Sequence, residues 1–564
     1  MYRVQFVKSF SSRIHCFLVL VREALLCTSS LLVCILFTKA TLKMTSKRSH
    51  LHCRWTTVSS RSLSFWHNQA VLLHNTLWIS IAIHQASFQS NRIFACANDD
   101  GLALTPPLGW RSWNLYEGSI DQSKMTAIMH GMVRPHTRPD HTGQSVSLLD
   151  LGYRNVGLDD LWQDCHSTEA ASGMHYHDEQ GRPLVNQQRF PSLSDMTALA
   201  HSLNLTAGWY ANNCACSDHC RNKNECNKQI KQDVHALFDY GFDSLKIDGC
   251  GNETDLVAWN RHIHEVAASM PNPRKILVEN CHGADPKFKP DRNLPPALGC
   301  PYHYYRTSHD LRNNYGSIMS NLGSVMDYHE RNESYPGCWA YPDMLMVGIG
   351  NGLTMTETRS HFAAWAISSS PLILSHDVNN ATITDRIWDV ISNREILAVN
   401  QAYEGDSGGV YQKSSENVKI LGGGIWYDVP AYQYLSKPVG RHPSNQSFRN
   451  RTSVAVLLVN SGNSTRQMTA TFRDIPYTYC KDWNSVQDKS PPARLGRSDK
   501  CHFHLRDLWK HKSLGIHEES WSVDVAPHDA EFILLEPVDG RGIGSLIDVS
   551  YLRANREASL SQLE

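Results

Sequence analysis

From about residue 99 onward, short apolar runs end abruptly in polar or aromatic residues and alternate with stretches whose apolar positions recur at helical spacing. The runs are residues 108–110, 153–160, 205–212, 244–250, 276–281, 304–310, 344–347 and 371–375. Between them lie amphipathic stretches such as 229–240 and 354–369, the second reading as an outer barrel helix and not as a partner-binding surface. Strands alternating with helices over about 300 residues predict an α/β fold, a (β/α)8 TIM barrel. The polar segment 134–143, rich in His, Pro, Asp and Arg, reads as a surface loop inserted between the first helix and the second strand.

After about residue 402 the helical period disappears. Alternating segments replace it at 418–427, 453–459, 467–472, 521–525 and 531–535, separated by Gly, Asn, Ser and Pro turns. That pattern predicts a C-terminal antiparallel β-sandwich. The first 98 residues differ again. They carry two apolar runs, 16–38 and 70–88, the first interrupted by Arg22 and Glu23, and the second followed by the small-x-small pattern Ala95-Cys96-Ala97. The first run falls short of the roughly 18 uninterrupted apolar residues a membrane span needs, and the second is short and carries two histidines. The segment therefore reads as a targeting leader, and no stable membrane span is expected once it is removed. The expected organisation is a leader over 1–98, a catalytic barrel over 99–401, a β-sandwich over 402–538 and a polar tail over 539–564.

A net charge of −1 offers no basic field, which removes nucleic acid as a partner. Sixteen cysteines and the seven Asn-x-Ser/Thr sequons favour an oxidising compartment, hence the secretory pathway with an extracellular, lysosomal or vacuolar destination.

The chemistry gathers where the strands end. In the run 242–250, Lys246 and Asp248 stand two residues apart and share one face of a strand. A carboxylate at the C-terminal tip of an apolar strand is where barrel enzymes keep catalytic groups. The second strand closes on Asp159 and Asp160 beside Trp162, the third on Tyr210, and the sixth on Arg306 and Asp310. Asp343 precedes the seventh. Such a mouth suits a sugar: carboxylates accept from vicinal hydroxyls, Lys and Arg donate, and aromatic faces cover the C–H face of the ring. Two carboxylates across the site could also cleave a glycosidic bond. A separation of about 5 Å permits a covalent intermediate and retention, and about 6.5–9.5 Å admits a water and gives inversion.

Several segments, in order, carry a resemblance to a known family: Leu104-Thr105-Pro106-Pro107-Leu108-Gly109-Trp110, Asp159-Asp160-Leu161-Trp162, Leu245-Lys246-Ile247-Asp248-Gly249-Cys250, Pro342-Asp343-Met344-Leu345, Asn400-Gln401-Ala402 and Val525-Ala526-Pro527-His528. Over about residues 101–537 the chain resembles the α-galactosidase/α-N-acetylgalactosaminidase family, glycoside hydrolase family 27. The resemblance implies a retaining exo-glycosidase acting on terminal α-linked galactose, with Asp248 as nucleophile and Asp310 as acid/base. It implies sugar contacts from Trp110, Asp159, Asp160, Tyr210, Lys246, Arg306 and Asp343. The acid has to hold its proton at the start of the cycle, so an acidic pH optimum follows. Both Asp159 and Asp160 reach the sugar only if the strand bends there; on a regular strand one of them is structural.

Two places depart from the family's pattern. His282 stands where the family carries the residue that senses the substituent at carbon 2, with Glu279 upstream in the same strand. The bulk of an imidazole leans the reading toward galactose, and α-N-acetylgalactosaminidase is the alternative. At strand three, Asn212-Asn213-Cys214-Ala215-Cys216 replaces the commoner Asp-x-Gly run. The resemblance implies that Cys214 or Cys216 bridges Cys250, and Cys281–Cys300 and Cys480–Cys501 are the other expected pairs, with Cys220–Cys226 a further one. Eleven cysteines follow Ala97, an odd number, so at least one stays outside an intrachain bridge. The Cys/His cluster 214–226 lacks paired Cys-x-x-Cys knuckles, so disulfides are preferred to a metal, and no cofactor is implied. The expected partner is a small-molecule or glycan substrate, with a homodimer the one assembly entertained. A non-catalytic sugar-binding protein on the same fold is the rival of a different class.

Overall fold

Eight short strands build the first sheet: β1 (Leu108–Arg111), β2 (Asn155–Gly157), β3 (Thr206–Ala211), β4 (Ser244–Asp248), β5 (Leu277–Cys281), β6 (Tyr304–Arg306), β7 (Trp339–Tyr341) and β8 (Leu372–Leu374). They lie in the order β7-β6-β5-β4-β3-β2-β1-β8, and each neighbouring pair is parallel. Between β7 and β8 the Leu345 N–H donates to the Ile373 carbonyl at 2.9 Å, which joins the two ends of the sheet. This is the (β/α)8 barrel. The computed structural model describes residues 100–216, 220–281, 299–441, 452–478, 480 and 501–538. All belong to the unit Gln85–Glu564. The leader read over 1–98, the polar tail over 539–564 and His282 lie outside them. Among the described residues no helix is long and apolar enough to cross a membrane.

Helices on the outside of the barrel are α1 (Gln122–Val133), α2 (Leu193–Ser202), α3 (Lys223–Asp239), α4 (Leu256–Ala268), α5 (Tyr315–Glu330), α6 (Met355–Ile367), α7 (Ala381–Ile391) and α8 (Arg394–Gln401). Each starts on an Asp, Ser, Asn or Thr whose side chain accepts a first-turn N–H; Thr354 and Glu357 form a reciprocal capping box on α6. Such caps satisfy orphan donors at the helix start and fix where each helix leaves its loop.

Strands β2, β4 and β6 stop short of the C-terminal ends of their predicted runs, because the residues there have left the ladder to line the mouth. Strand seven departs most from expectation. The apolar run 344–347 is not the strand; Trp339–Tyr341 pairs with β6 instead. Pro342 then ends the strand, having no N–H to give to the ladder. Asp343 therefore follows strand seven, at the mouth, and does not precede it. Its φ of 149° is a backbone setting that non-glycine residues rarely adopt. The segment 134–143 is likewise more than a surface loop: Asp140 is buried and accepts from Arg394 of α8 at 2.6 Å.

The second part is antiparallel. A six-stranded sheet runs in the order β16-β15-β18-β13-β12-β9, from β9 (Gly409–Lys413), β12 (Tyr432–Arg441), β13 (Thr452–Asn460), β15 (His502–Asp507), β16 (Lys512–Glu518) and β18 (Ala530–Pro537). The pair β14 (Arg466–Thr471) and β17 (Ser520–Val525) lies over it, closing the β-sandwich. A separate hairpin comprises β10 (Asn417–Gly422) and β11 (Ile425–Pro430). The uninterrupted alternation read over 418–427 is thus two strands. Gly423 and Gly424 both take positive φ, 57° and 79°, the two-residue turn that lets a hairpin reverse with its natural twist.

Strand β13 explains how the two parts adhere. Val454, Val456 and Leu458 enter the sandwich core, while Ala455, Leu457 and Val459 enter the core shared with the barrel. Both faces are covered, so the strand is apolar at every position from 454 to 459 instead of alternating. The covering element on the barrel side is α6, buried on nearly all sides. Arg359 of α6 pairs with Asp529 at 2.8 Å, and the Ser360 hydroxyl donates to the His528 carbonyl at 2.7 Å. The outer face of this barrel helix is thus a docking face for the chain's own second domain. Leu457→Ala should cost about 2–5 kcal/mol of stability, the usual range for a core leucine truncation. Urea unfolding followed by tryptophan fluorescence reads this, and an unchanged midpoint would contradict the shared core.

Candidate active site

At the C-terminal ends of β3 and β4, Tyr210 and Asp248 meet. The Tyr210 hydroxyl donates to Asp248 Oδ2 at 2.8 Å, and the Gly249 N–H donates to Oδ1 at 2.6 Å. Both oxygens thus have a fixed donor, which sets the rotamer of the carboxylate. Asn212, with φ at 58°, donates its side-chain N–H to the Asp248 carbonyl at 2.6 Å. The disulfide Cys214–Cys250 ties the loop after β3 to the residues just beyond Asp248.

Lys246 lies two residues back on β4 and is buried with its ammonium 2.9 Å from Asp159. Burial is the largest influence on Lys246 and opposes its charge, but Asp159, joined by Cys281, Asp248 and Glu279, holds the ammonium above the ordinary lysine range. Reciprocally, burial opposes the Asp159 carboxylate, and Lys246 followed by Arg111 pulls it below its ordinary range. Arg111 extends the chain of charges: it lies 3.7 Å from Asp159 and donates to Glu279 at 2.8 Å. Glu279 also accepts from Tyr304 at 2.9 Å and from Tyr341.

Asp160 behaves differently from its neighbour. Strand β2 stops at Gly157, Leu161 takes φ of 72°, and the chain bends at the pair of carboxylates. Asp160 accepts from the N–H groups of Leu161, Cys214 and Ala215 at 2.8–3.2 Å, so it anchors the loop after β3. Burial nevertheless pushes its carboxyl above the ordinary range.

On the opposite side, Arg306 at the tip of β6 donates to Asp310 at 2.9 Å and lies 3.2 Å from Asp343. Burial opposes the guanidinium most strongly, and Asp343 together with Cys281, Tyr341 and Asp310 more than restores it. Asp343, accepting from the Leu311 and Met344 N–H groups, is held above the ordinary carboxyl range by burial, with Arg306 working against that. Asp310 itself is 88% exposed, unlike the buried carboxylates around it. Trp110 is fully buried and donates its indole N–H to the His376 carbonyl at 2.8 Å.

Asp248, Arg306 and Asp310 line one cavity of about 780 Å³. The structure therefore brings Asp248 and Asp310 to one space, with Tyr210 on Asp248 and Arg306 between Asp310 and Asp343, while Lys246 and Asp159 pair with each other outside that cavity's lining. Two groups escaped the sequence reading. Arg111, and the part played by Glu279, which was noted only as lying upstream of His282, form the buried charge network beneath the mouth; a charged residue inside each of two apolar strands was the available signal. The other is Ile425 and Tyr427, which line the same cavity from the second domain.

The cysteines pair as Cys165–Cys216, Cys214–Cys250, Cys220–Cys226, Cys300–Cys338 and Cys480–Cys501. The expected Cys281–Cys300 bridge is not formed. Cys300 sits beside Cys338, before β7, while Cys281 ends β5 with its sulfur 3.4 Å from the Arg306 guanidinium and on the cavity wall. Of the two candidates for Cys250 it is Cys214, because Cys216 turns to Cys165. Five disulfides belong to an oxidising, secretory-pathway environment. Cys281 is the one free cysteine among the described residues, and burial raises its thiol out of the reactive range. A thiol-reactive dye should accordingly titrate one thiol in the protein from Asn98 onward, and only after unfolding. Titration of none, or of three, would contradict this pairing.

Three comparisons bear on this geometry. Residues 105–402 match the profile described as alpha galactosidase A, and residues 445–535 match the alpha galactosidase C-terminal beta sandwich domain. An alpha-galactosidase of Oryza sativa subsp. japonica is 28% identical over 456 residues, 80% of this chain and 89% of that protein. Among solved structures, alpha-galactosidase I from Mortierella vinacea superimposes with a TM-score of 0.58 at 23% identity, covering 79% of this chain and all of that one. A β-L-arabinopyranosidase from Geobacillus stearothermophilus gives 0.56 at 16% identity, covering 78% and 98%, so the same fold serves more than one sugar. With a barrel, a sandwich and a carboxylate-lined mouth in that order, the chain belongs to the alpha galactosidase A family, glycoside hydrolase family 27.

Proposed function

We propose that the protein hydrolyses terminal α-linked galactose by double displacement, with retention at the anomeric carbon. The observation that carries this reading is the single cavity holding both Asp248 and Asp310 in unlike settings. Asp248 is clamped by Tyr210 and Gly249 with its oxygens fixed, which suits an attacking group. Asp310 hangs from an exposed loop beside Arg306, where it meets solvent and an incoming leaving group. Asp248 Oδ attacks the anomeric carbon while Asp310 donates a proton to the departing oxygen. Asp310 then takes a proton from water, whose oxygen attacks the same carbon and releases Asp248.

The buried donors and acceptors support a sugar subsite. Asp159 and Lys246 present a paired acceptor and donor, and Asp343 and Arg306 a second such pair, across the mouth. Vicinal hydroxyls on one ring match that alternation. Asp160 contributes by holding the loop after β3, its oxygens already serving backbone groups. Secretion or delivery to a lysosome or vacuole fits a glycan-processing enzyme with this disulfide content.

Aryl α-galactoside should be cleaved in strong preference to the aryl α-N-acetylgalactosaminide by the protein from Asn98 onward. Asp248→Asn should abolish turnover of both. Asp310→Asn should lose about 10²–10⁴-fold on a poor leaving group, the range of general acid catalysis, and much less on an activated aryl one. Preference for the acetamido sugar would shift the substrate and keep the mechanism. Turnover surviving Asp248→Asn would remove the mechanism itself.

A further inference from the structure

Away from the mouth, two histidines and a carboxylate from three separate elements converge. The segment 134–143 connects α1 to β2, and the helix-to-strand connections of such a barrel lie at the end opposite the catalytic groups. His141 of that segment stacks on His511 of the turn between β15 and β16, with ring centroids 3.8 Å apart and planes inclined by only 7°. Glu395, in the first turn of α8, lies against both. Its Oε1 is 2.9 Å from His511 Nδ1 and 3.8 Å from His141 Nε2. One ligand atom from each of the three residues lies within 4.8 Å of the other two.

Each of the three is held by supports of its own. Asp140 accepts from Arg394 at 2.6 Å and from the Thr142 and Gln144 N–H groups, which fixes the turn that carries His141. Asp507 accepts from the N–H groups of Trp509 and Lys510, which fixes the turn that carries His511, where φ is 53°. Arg506 grips both oxygens of Glu395 at 2.7 Å. Glu395 therefore has its counter-charge already, and neither imidazole is needed to balance it. His141 Nε2 stands beyond hydrogen-bond reach of the carboxylate it faces. Any flat ring would serve for packing; these two bring nitrogens to one carboxylate oxygen.

We infer that His141, Glu395 and His511 form a zinc site that clips the second domain to the barrel on the side away from the mouth. Imidazole nitrogens and carboxylate oxygens bind zinc at about 2.0–2.2 Å, so a tetrahedral ion sets its ligand atoms roughly 3.3 Å apart. The separations of 2.9 and 3.8 Å straddle that value. The ion takes the place of the proton shared by His511 Nδ1 and Glu395 Oε1, and His511 then carries its proton on Nε2. One imidazole swings out of the stack so that both nitrogens meet the ion; the rings are 16% and 22% exposed, which leaves room for the turn. Water enters the fourth position from that open side. Arg506 is the outer partner that orients the ligating carboxylate, and Arg394, the other cation close by, is matched by Asp140. The ligands run from residue 141 to residue 511. The ion thus closes a far longer loop than the disulfides among the described residues, whose widest separation is 51. Nothing in this inference depends on the hydrolase reading.

The test strips the purified protein, made without a polyhistidine tag, with a chelator and titrates it with Co²⁺, whose tetrahedral complexes absorb strongly in the visible. One equivalent should bind with that absorption and be displaced by Zn²⁺. Zinc at about 100-fold over its Kd should raise the melting temperature by about 2–4 °C. His141→Ala and His511→Asn should each abolish both the band and the shift; asparagine tolerates the positive φ at 511. His201→Ala removes an imidazole that sits 2.8 Å from Asp243, outside the cluster, and should change neither. The shift is read within each variant, with and without zinc, so a variant that is merely less stable still reports on the site. No visible band, or only the weak absorption of an octahedral ion, would overturn the inference. A band that survives both variants would place the metal elsewhere and overturn it too. So would a melting temperature indifferent to zinc, which would leave the two imidazoles as a packing contact.

Discussion

The mouth of this barrel depends on a buried line of alternating charge: Lys246, Asp159, Arg111 and Glu279. Removing that many ions from water is costly, and a lone buried charge among them would cost several kcal/mol. They persist because each has an opposite neighbour within 4 Å and because Glu279 also collects two tyrosine hydroxyls. Apolar residues of similar volume would pack there at less cost, so stability alone does not account for the line. What it provides is rigidity of position. Lys246 cannot turn away from the mouth without abandoning Asp159, and Asp159 cannot turn without leaving Lys246 unpaired and Arg111 to Glu279 alone.

A second constraint comes from backbone geometry. The residues that face the mouth leave the strand ladders early, at Gly157, Tyr341 and Arg306, and several adopt unusual conformations, such as Leu161, Asn212 and Asp343 with positive φ. Short strands and strained ends expose side chains at one rim that a regular strand would direct alternately inward and outward. The bend after β2 is what gives Asp159 and Asp160 different partners. The disulfide Cys214–Cys250 then holds the loops after β3 and β4 together, bracketing Tyr210 and Asp248.

Much of this was legible in the sequence, and the reasons are specific. Abrupt apolar-to-polar transitions marked strand ends, and a recognisable order of motifs marked the family. Strand seven was misread because Met344–Val347 is as apolar as Trp339–Tyr341, and periodicity cannot choose between two adjacent short runs. Pro342 was the available arbiter. The Cys281–Cys300 pairing failed since sequence separation does not fix distance: Cys300 and Cys338 come together through the neighbouring strands β6 and β7. The hairpin was read as one strand because apolar residues flank Gly422-Gly423-Gly424 closely on both sides, although that run is itself the turn signal. Its seating against α5 depends on Gly316 and Gly422 being close to Tyr427 and Asn314, which one-dimensional patterning does not encode.

The central claim is that Asp248 attacks the sugar and becomes esterified. It is tested by incubating the protein with 5-fluoro-α-galactosyl fluoride, whose ring fluorine slows departure from a covalent intermediate more than its formation from the reactive fluoride. Peptide mass spectrometry should then find one galactosyl-derived mass increment on the fragment containing Asp248, and none in Asp248→Asn. A stable adduct on another carboxylate would contradict the assignment, and turnover without any adduct, releasing the inverted sugar, would contradict double displacement.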